Sequence, residues 1–277
     1  TIRIHPPGQR YFLTNMITTQ FLAVMGALLH PLLNPMVGST SSYAPEQSRQ
    51  PHLFDTLGSM FTGIVECMGR VERITTTTTG ARLLIDPGNW PYHPEHGASI
   101  CVSGVCLTHA PSEDGSESAN QLAFDVIRET LDRTTLGEWS AGRMVNLEPP
   151  LTPSSPMGGH FVQGHVDGVG TITGVGDEED WRVIIQPPCA LMDAIVPKGS
   201  IAVDGVSLTV AAVADDRFEV ALIRSTLNRT TLGAAESGMR ANLETDIVSK
   251  TIVHWLARNA AEQRPVTRQT LREAGLF

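Results

Sequence analysis

Blocks of sequence occur twice in this chain, in one order, and that duplication restricts the fold more than any other feature. Phe61-Thr62-Gly63-Ile64-Val65-Glu66 pairs with Val162-Gln163-Gly164-His165-Val166-Asp167, and Gly69 and Val71 then match Gly170 and Ile172. The run from Ser99 to Thr108, with Gly104-Val105-Cys106-Leu107-Thr108 at its end, pairs with Ser200 to Thr209. Arg128 to Gly137 pairs with Arg224 to Gly233, and Asn146-Leu147-Glu148 recurs as Asn242-Leu243-Glu244. Such a unit is too long for a solenoid and is present only twice, so each copy is expected to be a domain with its own core.

Within each copy, short Val/Ile/Thr-rich runs alternate with Gly, Pro and acidic turns, which is the pattern of strands. Leu83 to Ile85, Ile100 to Thr108, Leu122 to Ile127 and Met144 to Leu147 are the strands expected in the first copy. Val183 to Ile185, Ile201 to Val210 and Phe218 to Ile223 are those of the second. Many short strands favour small antiparallel barrels, which leave no open sheet edge. Thr75 to Thr79 suits a strand end or loop. After Asp246, apolar residues at Ile247, Val248, Ile252, Val253, Leu256 and Ala260 recur every three or four positions, so a helix with one apolar stripe is expected there. The stripe suits an oligomer interface or packing on its own domain. The expected organisation is an extension over residues 1–59, one barrel over 60–157, a second over 158–246, and a helix and tail over 247–277.

Composition narrows the function classes. A net charge of −9 in 277 residues argues against nucleic acid or an anionic membrane as the main partner. No apolar run reaches the length that spans a bilayer, because His30 and Pro31 interrupt the nearest one. Cys67, Cys101, Cys106 and Cys189 include no CxxC pair, so free thiols in a reducing, cytoplasmic setting are expected. Residues 1–59 hold Arg3, Arg10 and Arg49 as their only basic residues, which favours a dispensable extension over an organellar targeting peptide.

Met60 to Glu66, the Gly-Val-Cys-Leu-Thr and Gly-Val-Ser-Leu-Thr blocks, and Gly158-Gly159-His160-Phe161-Val162-Gln163-Gly164-His165-Val166-Asp167 resemble the riboflavin synthase family, as do both Thr-Thr-Leu-Gly segments and the tail from Thr267 to Phe277. The resemblance covers residues 60–277. It implies an all-β chain of two tandem six-stranded Greek-key barrels plus a C-terminal helix, assembled as a homotrimer. Each barrel would bind one 6,7-dimethyl-8-ribityllumazine, the reacting pair would meet between neighbouring subunits, and no cofactor would be used.

The same resemblance implies roles for individual residues. His165, Ser207, Asp204, Cys106, Lys198 and Phe61 are the expected catalytic group. Imidazole changes charge near neutral pH, which suits His165 to proton transfer. Gly63, Ile64 and Val65, with Gly164 and Val166 in the second copy, are expected to present backbone groups to the flat ring. Ser99, Leu107, Thr108, Asp125, Val126, Ile127, Arg128, Glu129 and Thr130 would line the first cup. Leu208, Thr209, Ala221, Leu222, Ile223, Arg224, Ser225 and Thr226 would line the second. Taken singly, many have ordinary readings: Cys106 as a core cysteine, Asp204 as a turn residue before Gly205, Lys198 as a solvated turn lysine. His160 and His165 lie five residues apart, but no HExxH, third ligand or cysteine cluster accompanies them, so no metal is expected. Ser103, His109 and Arg224-Ser225 depart from the family pattern. Two rival readings are a lumazine- or flavin-binding protein without catalysis and a plain two-barrel scaffold.

Overall fold

The computed structural model describes residues 60–112, 118, 120–176 and 181–260. The expectations for residues 1–59 and for the tail beyond residue 260 fall outside the described residues.

The first copy supplies β1 (Cys67–Thr76), β2 (Gly80–Asp86), β3 (Ser99–Val102), β4 (Val105–Thr108), β5 (Leu122–Ile127) and β6 (Met144–Glu148), all paired antiparallel in the order β4-β3-β6-β1-β2-β5. The ends of this sheet meet where His109 bridges Phe124 and the Ala110 N–H donates to the Ala123 carbonyl at 2.8 Å. The second copy supplies β7 (Gly168–Val175), β8 (Arg182–Gln186), β9 (Ser200–Val203), β10 (Val206–Val213), β11 (Phe218–Ala221) and β12 (Arg240–Thr245). These close a barrel in the order β10-β11-β8-β7-β12-β9. Alternating residues face each interior: Val71, Leu83, Ile85, Phe124 and Leu147 fill the first barrel, and Ile172, Ile185, Val210, Phe218 and Leu243 the second.

Where the sequence suggests one strand from Ile100 to Thr108, and another from Ile201 to Val210, the structure has hairpins. Ser103-Gly104 and Asp204-Gly205 form two-residue turns with positive φ throughout (44° and 82°, 45° and 76°). Glycine is needed at the second place for a further reason. A Cβ on Gly104 would lie 2.8 Å from the Gly205 nitrogen, and one on Gly205 would lie 2.7 Å from the Gly104 nitrogen. The two hairpin tips therefore touch, backbone against backbone, between the barrels. Thr75 and Thr76 end β1, and Thr77 opens the turn by accepting from the Gly80 N–H through its hydroxyl.

Short helices α1 (Arg128–Arg133) and α2 (Arg224–Arg229) follow β5 and β11. Each leads into a 3-10 turn at the Thr-Thr-Leu-Gly block, where the first threonine hydroxyl, of Thr134 or Thr230, accepts from the leucine N–H. Helix α3 (Ile247–Ala260) starts where the Asp246 carboxylate accepts from the Val248 N–H at 2.7 Å. It is tied to the second barrel by the 2.6 Å Lys250–Asp167 ion pair. Val248, Ile252 and Leu256 remain more than half exposed along the expected stripe.

The copies are joined by a reciprocal exchange of hydrogen bonds. Asn146 donates from Nδ2 to the Asp204 carbonyl and accepts at Oδ1 from the Thr231 N–H, both at 2.8 Å. Asn242 makes the mirror pair, to the Ser103 carbonyl and from the Thr135 N–H, also at 2.8 Å. Both side chains are almost fully buried. Replacing either by Ala strands a donor and an acceptor away from water, at about 1–3 kcal/mol per orphaned group. Asn146→Ala and Asn242→Ala are each expected to lower unfolding free energy in urea by about 2–4 kcal/mol. A loss below about 0.5 kcal/mol would mean that water replaces the amide and the exchange is not what holds the barrels together.

Candidate active site

The segments that precede β1 and β7 do not stay with their own barrels. Phe61 bridges Val162 antiparallel between the copies, with Phe61 N–H donating to the Val162 carbonyl at 2.7 Å. Beyond that crossing, Val65 packs into the core of the second barrel, and Val166 packs against the core of the first. Cup residues supplied by these segments are thus exchanged between the copies.

At the second barrel, the Ser207 N–H donates to the Gly63 carbonyl at 2.8 Å. Gly63 has φ +76°, and a Cβ there would stand 2.6 Å from the Ser207 Cβ, so no larger residue fits. Gly63, Ile64, Val65, Ser207, Ile223, Ser225, Thr226 and Arg229 surround an open cleft of about 510 Å³. Ile64 and Ile223 expose apolar faces (44% and 67%), and Ser225 and Thr226 add hydroxyls at the start of α2. Such a site suits a flat ring with a polar tail.

The residue that sequence alone did not assign here is His160. Its Nδ1 lies 2.7 Å from the Ser207 hydroxyl, and its Nε2 is buried without a partner. Burial lowers its pKa below the usual histidine value, which favours the neutral ring, while the Asp246 carboxylate opposes that shift. A neutral imidazole against a serine hydroxyl is the arrangement of a base beside a nucleophile.

At the first barrel the same contact recurs with Cys106. Its N–H donates to the Gly164 carbonyl at 2.9 Å, and a Cβ on Gly164 (φ +74°) would stand 2.6 Å from the Cys106 Cβ. His165 follows Gly164 and is exposed. Ile127, the counterpart of Ile223, is 61% exposed at the start of α1. Burial raises the Cys106 thiol pKa, while a hydrogen bond with Ser99 opposes that shift.

Other expected site residues are distributed as follows. Thr108, Glu129, Arg128, Thr209, Ala221, Arg224 and Lys198 are exposed, and Thr130 is half-buried. Asp125 is exposed and paired with Arg82 at 3.0 Å. Leu107, Val126, Leu208 and Leu222 direct their side chains into the cores, which leaves their backbones for a ligand. Phe61 is fully buried between the barrels with Cys101, Val162 and Ala202. Asp204 sits at the hairpin tip, where its carboxylate accepts from the Asn242 N–H at 2.8 Å and burial raises its pKa to about 6. Lys198 holds φ +66° where the first copy has Gly97, a left-handed conformation that side chains seldom adopt.

Two carboxylates that sequence alone also left unassigned hold the exchanged segments. Glu148 accepts from the Thr62 N–H (2.6 Å), the Thr62 hydroxyl (2.8 Å) and the Gly63 N–H (2.9 Å). Glu244 accepts from the Gln163, Gly164 and His165 N–H groups at 2.7, 2.9 and 3.1 Å. Burial pushes both pKa values up to about 7, against the pull of those donors. Each group therefore binds its proton more tightly in the folded chain. Its contribution to stability is complete below the ordinary Glu pKa and is lost as pH rises through about 7. Unfolding free energy measured from pH 5 to pH 8 should fall, and Glu244→Gln should flatten that fall. Parallel curves for the two proteins would remove Glu244 from the balance.

The family profile described as the lumazine binding domain matches residues 62–149 and again 163–246. Riboflavin synthase of Mycobacterium tuberculosis is 45% identical over 206 residues, 73% of this chain and 100% of that protein. The protein of that name from Brucella abortus is 40% identical, with 74% and 100% covered, and that of Bacillus subtilis is 34% identical, with 78% and 100% covered. Among solved structures, LumP complexed with riboflavin superposes with a TM-score of 0.60 at 28% identity, over 67% of this chain and 98% of that one. LumP complexed with 6,7-dimethyl-8-(1'-D-ribityl) lumazine gives 0.58 over the same shares. A twice-matched lumazine-binding profile, and relatives matched over their whole length, mean that the chain belongs to the riboflavin synthase family.

Proposed function

We infer that this chain converts two molecules of 6,7-dimethyl-8-ribityllumazine into riboflavin and 5-amino-6-(ribitylamino)uracil by moving a four-carbon unit. The observation that carries the reading is the 2.7 Å His160–Ser207 contact beside a cleft that the exchanged Gly63–Val65 segment completes. The two products together contain all the atoms of two substrates, so the balance calls for no external oxidant or reductant.

One ring must lose a proton from its C7 methyl group while the other is attacked at C7. With its proton on Nε2, His160 accepts at Nδ1 from the Ser207 hydroxyl and makes that oxygen, or a water it orients, the nucleophile at the second cup. His165, which follows the Gly164 that contacts Cys106, supplies the exchangeable proton at the first cup. Holding two rings face to face removes much of the entropic barrier to joining them. The cleft at Ser207 includes no residue of β4, and the buried Phe61–Cys101–Val162–Ala202 cluster stands between the copies. The two rings would therefore meet between chains, the first cup of one facing the second cup of the next. The exposed Val248, Ile252 and Leu256 on α3 offer the apolar contact for a homotrimer. Free thiols and the acidic net charge suit a cytoplasmic setting with no nucleic-acid partner.

Two measurements test this. His160→Gln keeps a polar contact to Ser207 but removes the base, so kcat should fall about 100-fold or more while lumazine affinity changes little. A kcat within twofold of the parent would assign His160 to packing. For the shared site, Cys106→Ala and Ser207→Ala chains should each be strongly impaired alone. Refolded together in equal amounts, about a quarter of head-to-tail interfaces would carry both parental halves, and activity should return. If both cups of one chain formed the site, every site would keep one defect. Mixed oligomers proven by mass spectrometry but without recovered activity would overturn the shared site.

A further inference from the structure

The first barrel carries a feature that its twin lacks. Cys101 on β3 and Cys106 on β4 are direct cross-strand partners, whereas the matched pair in the second barrel is Ala202 and Ser207. The hairpin turn has two residues, so Val102–Val105 is the hydrogen-bonded pair next to it and Cys101–Cys106 is the non-hydrogen-bonded pair beyond. The Cys106 N–H agrees, since it points away from β3 and donates to Gly164. In pairs of this kind both side chains leave the same face of the sheet and their Cβ atoms approach within about 4.5–5.5 Å. A disulfide needs Cβ atoms about 3.5–4.5 Å apart, so closing one takes a shift of roughly an ångström. Cys101 and Cys106 also pack into the same inter-barrel cluster, and closing the bond exchanges the Cys101 contact with the Gly104 backbone and the Cys106 contact with Ser99 for the S–S bond.

We propose that Cys101 and Cys106 form a modification site in which a peroxide joins the two sulfurs as a cross-strand disulfide and thereby disables the first cup. The half-buried Cys106 sulfur, at the cup, meets the oxidant. Its S–O bond forms as the peroxide O–O bond breaks, and one water leaves. The buried Cys101 sulfur then attacks the resulting sulfenic acid, the S–S bond forms, the S–O bond breaks, and a second water leaves. The two thiols lose two electrons and the peroxide gains them. The Cys106 sulfur turns toward Cys101, giving up its hydrogen bond with Ser99 on that same strand and leaving the cup. Burial raises the pKa of both thiols, which makes the reaction slow and the site responsive to sustained rather than brief exposure. Cys101 acts only as the resolving sulfur, and protects Cys106 from irreversible over-oxidation.

The mass of the peptide that holds both cysteines tests the site without reference to turnover, so failure here is separable from failure of the proposed activity. The exposed Cys189 is replaced throughout by Ser to prevent links between chains. After hydrogen peroxide, that peptide should lose two mass units and resist alkylation until reduced by dithiothreitol. In parallel, riboflavin formation should fall at least fivefold and recover on reduction. Cys101→Ala copies the second barrel's own residue and should keep its starting turnover. It should show no loss of two mass units, gain two or three oxygens on Cys106 as sulfinic or sulfonic acid, and not recover with dithiothreitol. Added oxygen on Cys106 in the parent without the loss of two units, or equal recovery of the Cys101→Ala protein, would overturn the proposal.

Discussion

Two buried carboxylates fix everything that follows. Glu148 and Glu244 lie at the ends of β6 and β12 and are almost fully buried, where an ionised group without partners could not remain. Each is matched by three donors from the segment that opens its own copy. That grip turns the segment off its own barrel, so that the Gly63 carbonyl reaches Ser207 and the Gly164 carbonyl reaches Cys106. Without it, each cup would lose one wall, and the crossing of Phe61 with Val162 would have no anchored ends.

The repeated blocks make sense in these terms. In Asn-Leu-Glu, the Asn reaches the other copy's hairpin tip and 3-10 turn, the Leu enters its own core, and the Glu holds the crossing segment. In Thr-Thr-Leu-Gly, the first Thr caps the turn, the second offers its N–H to the other copy's Asn, and the Leu is buried. The Gly104 and Gly205 tips meet where no Cβ fits. The blocks legible as a repeat are those that join the two halves.

Local chemistry was legible where it depends on near neighbours. Antiparallel strands, the strand end within Thr75–Thr79 and the stripe of α3 follow from period and composition, whereas the hairpins inside Ile100 to Thr108 and Ile201 to Val210 read as single strands. The exchange of the opening segments was not legible. Period-two alternation says which side chains are buried and nothing about whose core receives Val65. His160 was hidden for a similar reason. Its partner Ser207 is 47 residues away, and no spacing rule links a residue before the crossing to one on β10. The pattern around Gly158-Gly159-His160 offered only the absence of a side chain beside it, which marks a close approach without naming what approaches.

The crossing also explains how one duplicated chain can hold two unlike cups. The first copy's segment brings Ile64 to the second cup, an apolar wall with nothing to ionise. The second copy's segment, from Gly158 to Val166, serves both. His160 meets Ser207 before the crossing, and Gly164 meets Cys106 after it, with His165 next in line. A single stretch thus carries one imidazole that is buried against Ser207 and another, exposed, next to the Gly164 that contacts Cys106. The barrels themselves need differ little. They differ in that one crossing segment is rich in histidine and the other is not, a lysine replaces glycine in one left-handed turn, and a cysteine pair replaces Ala-Ser in one hairpin.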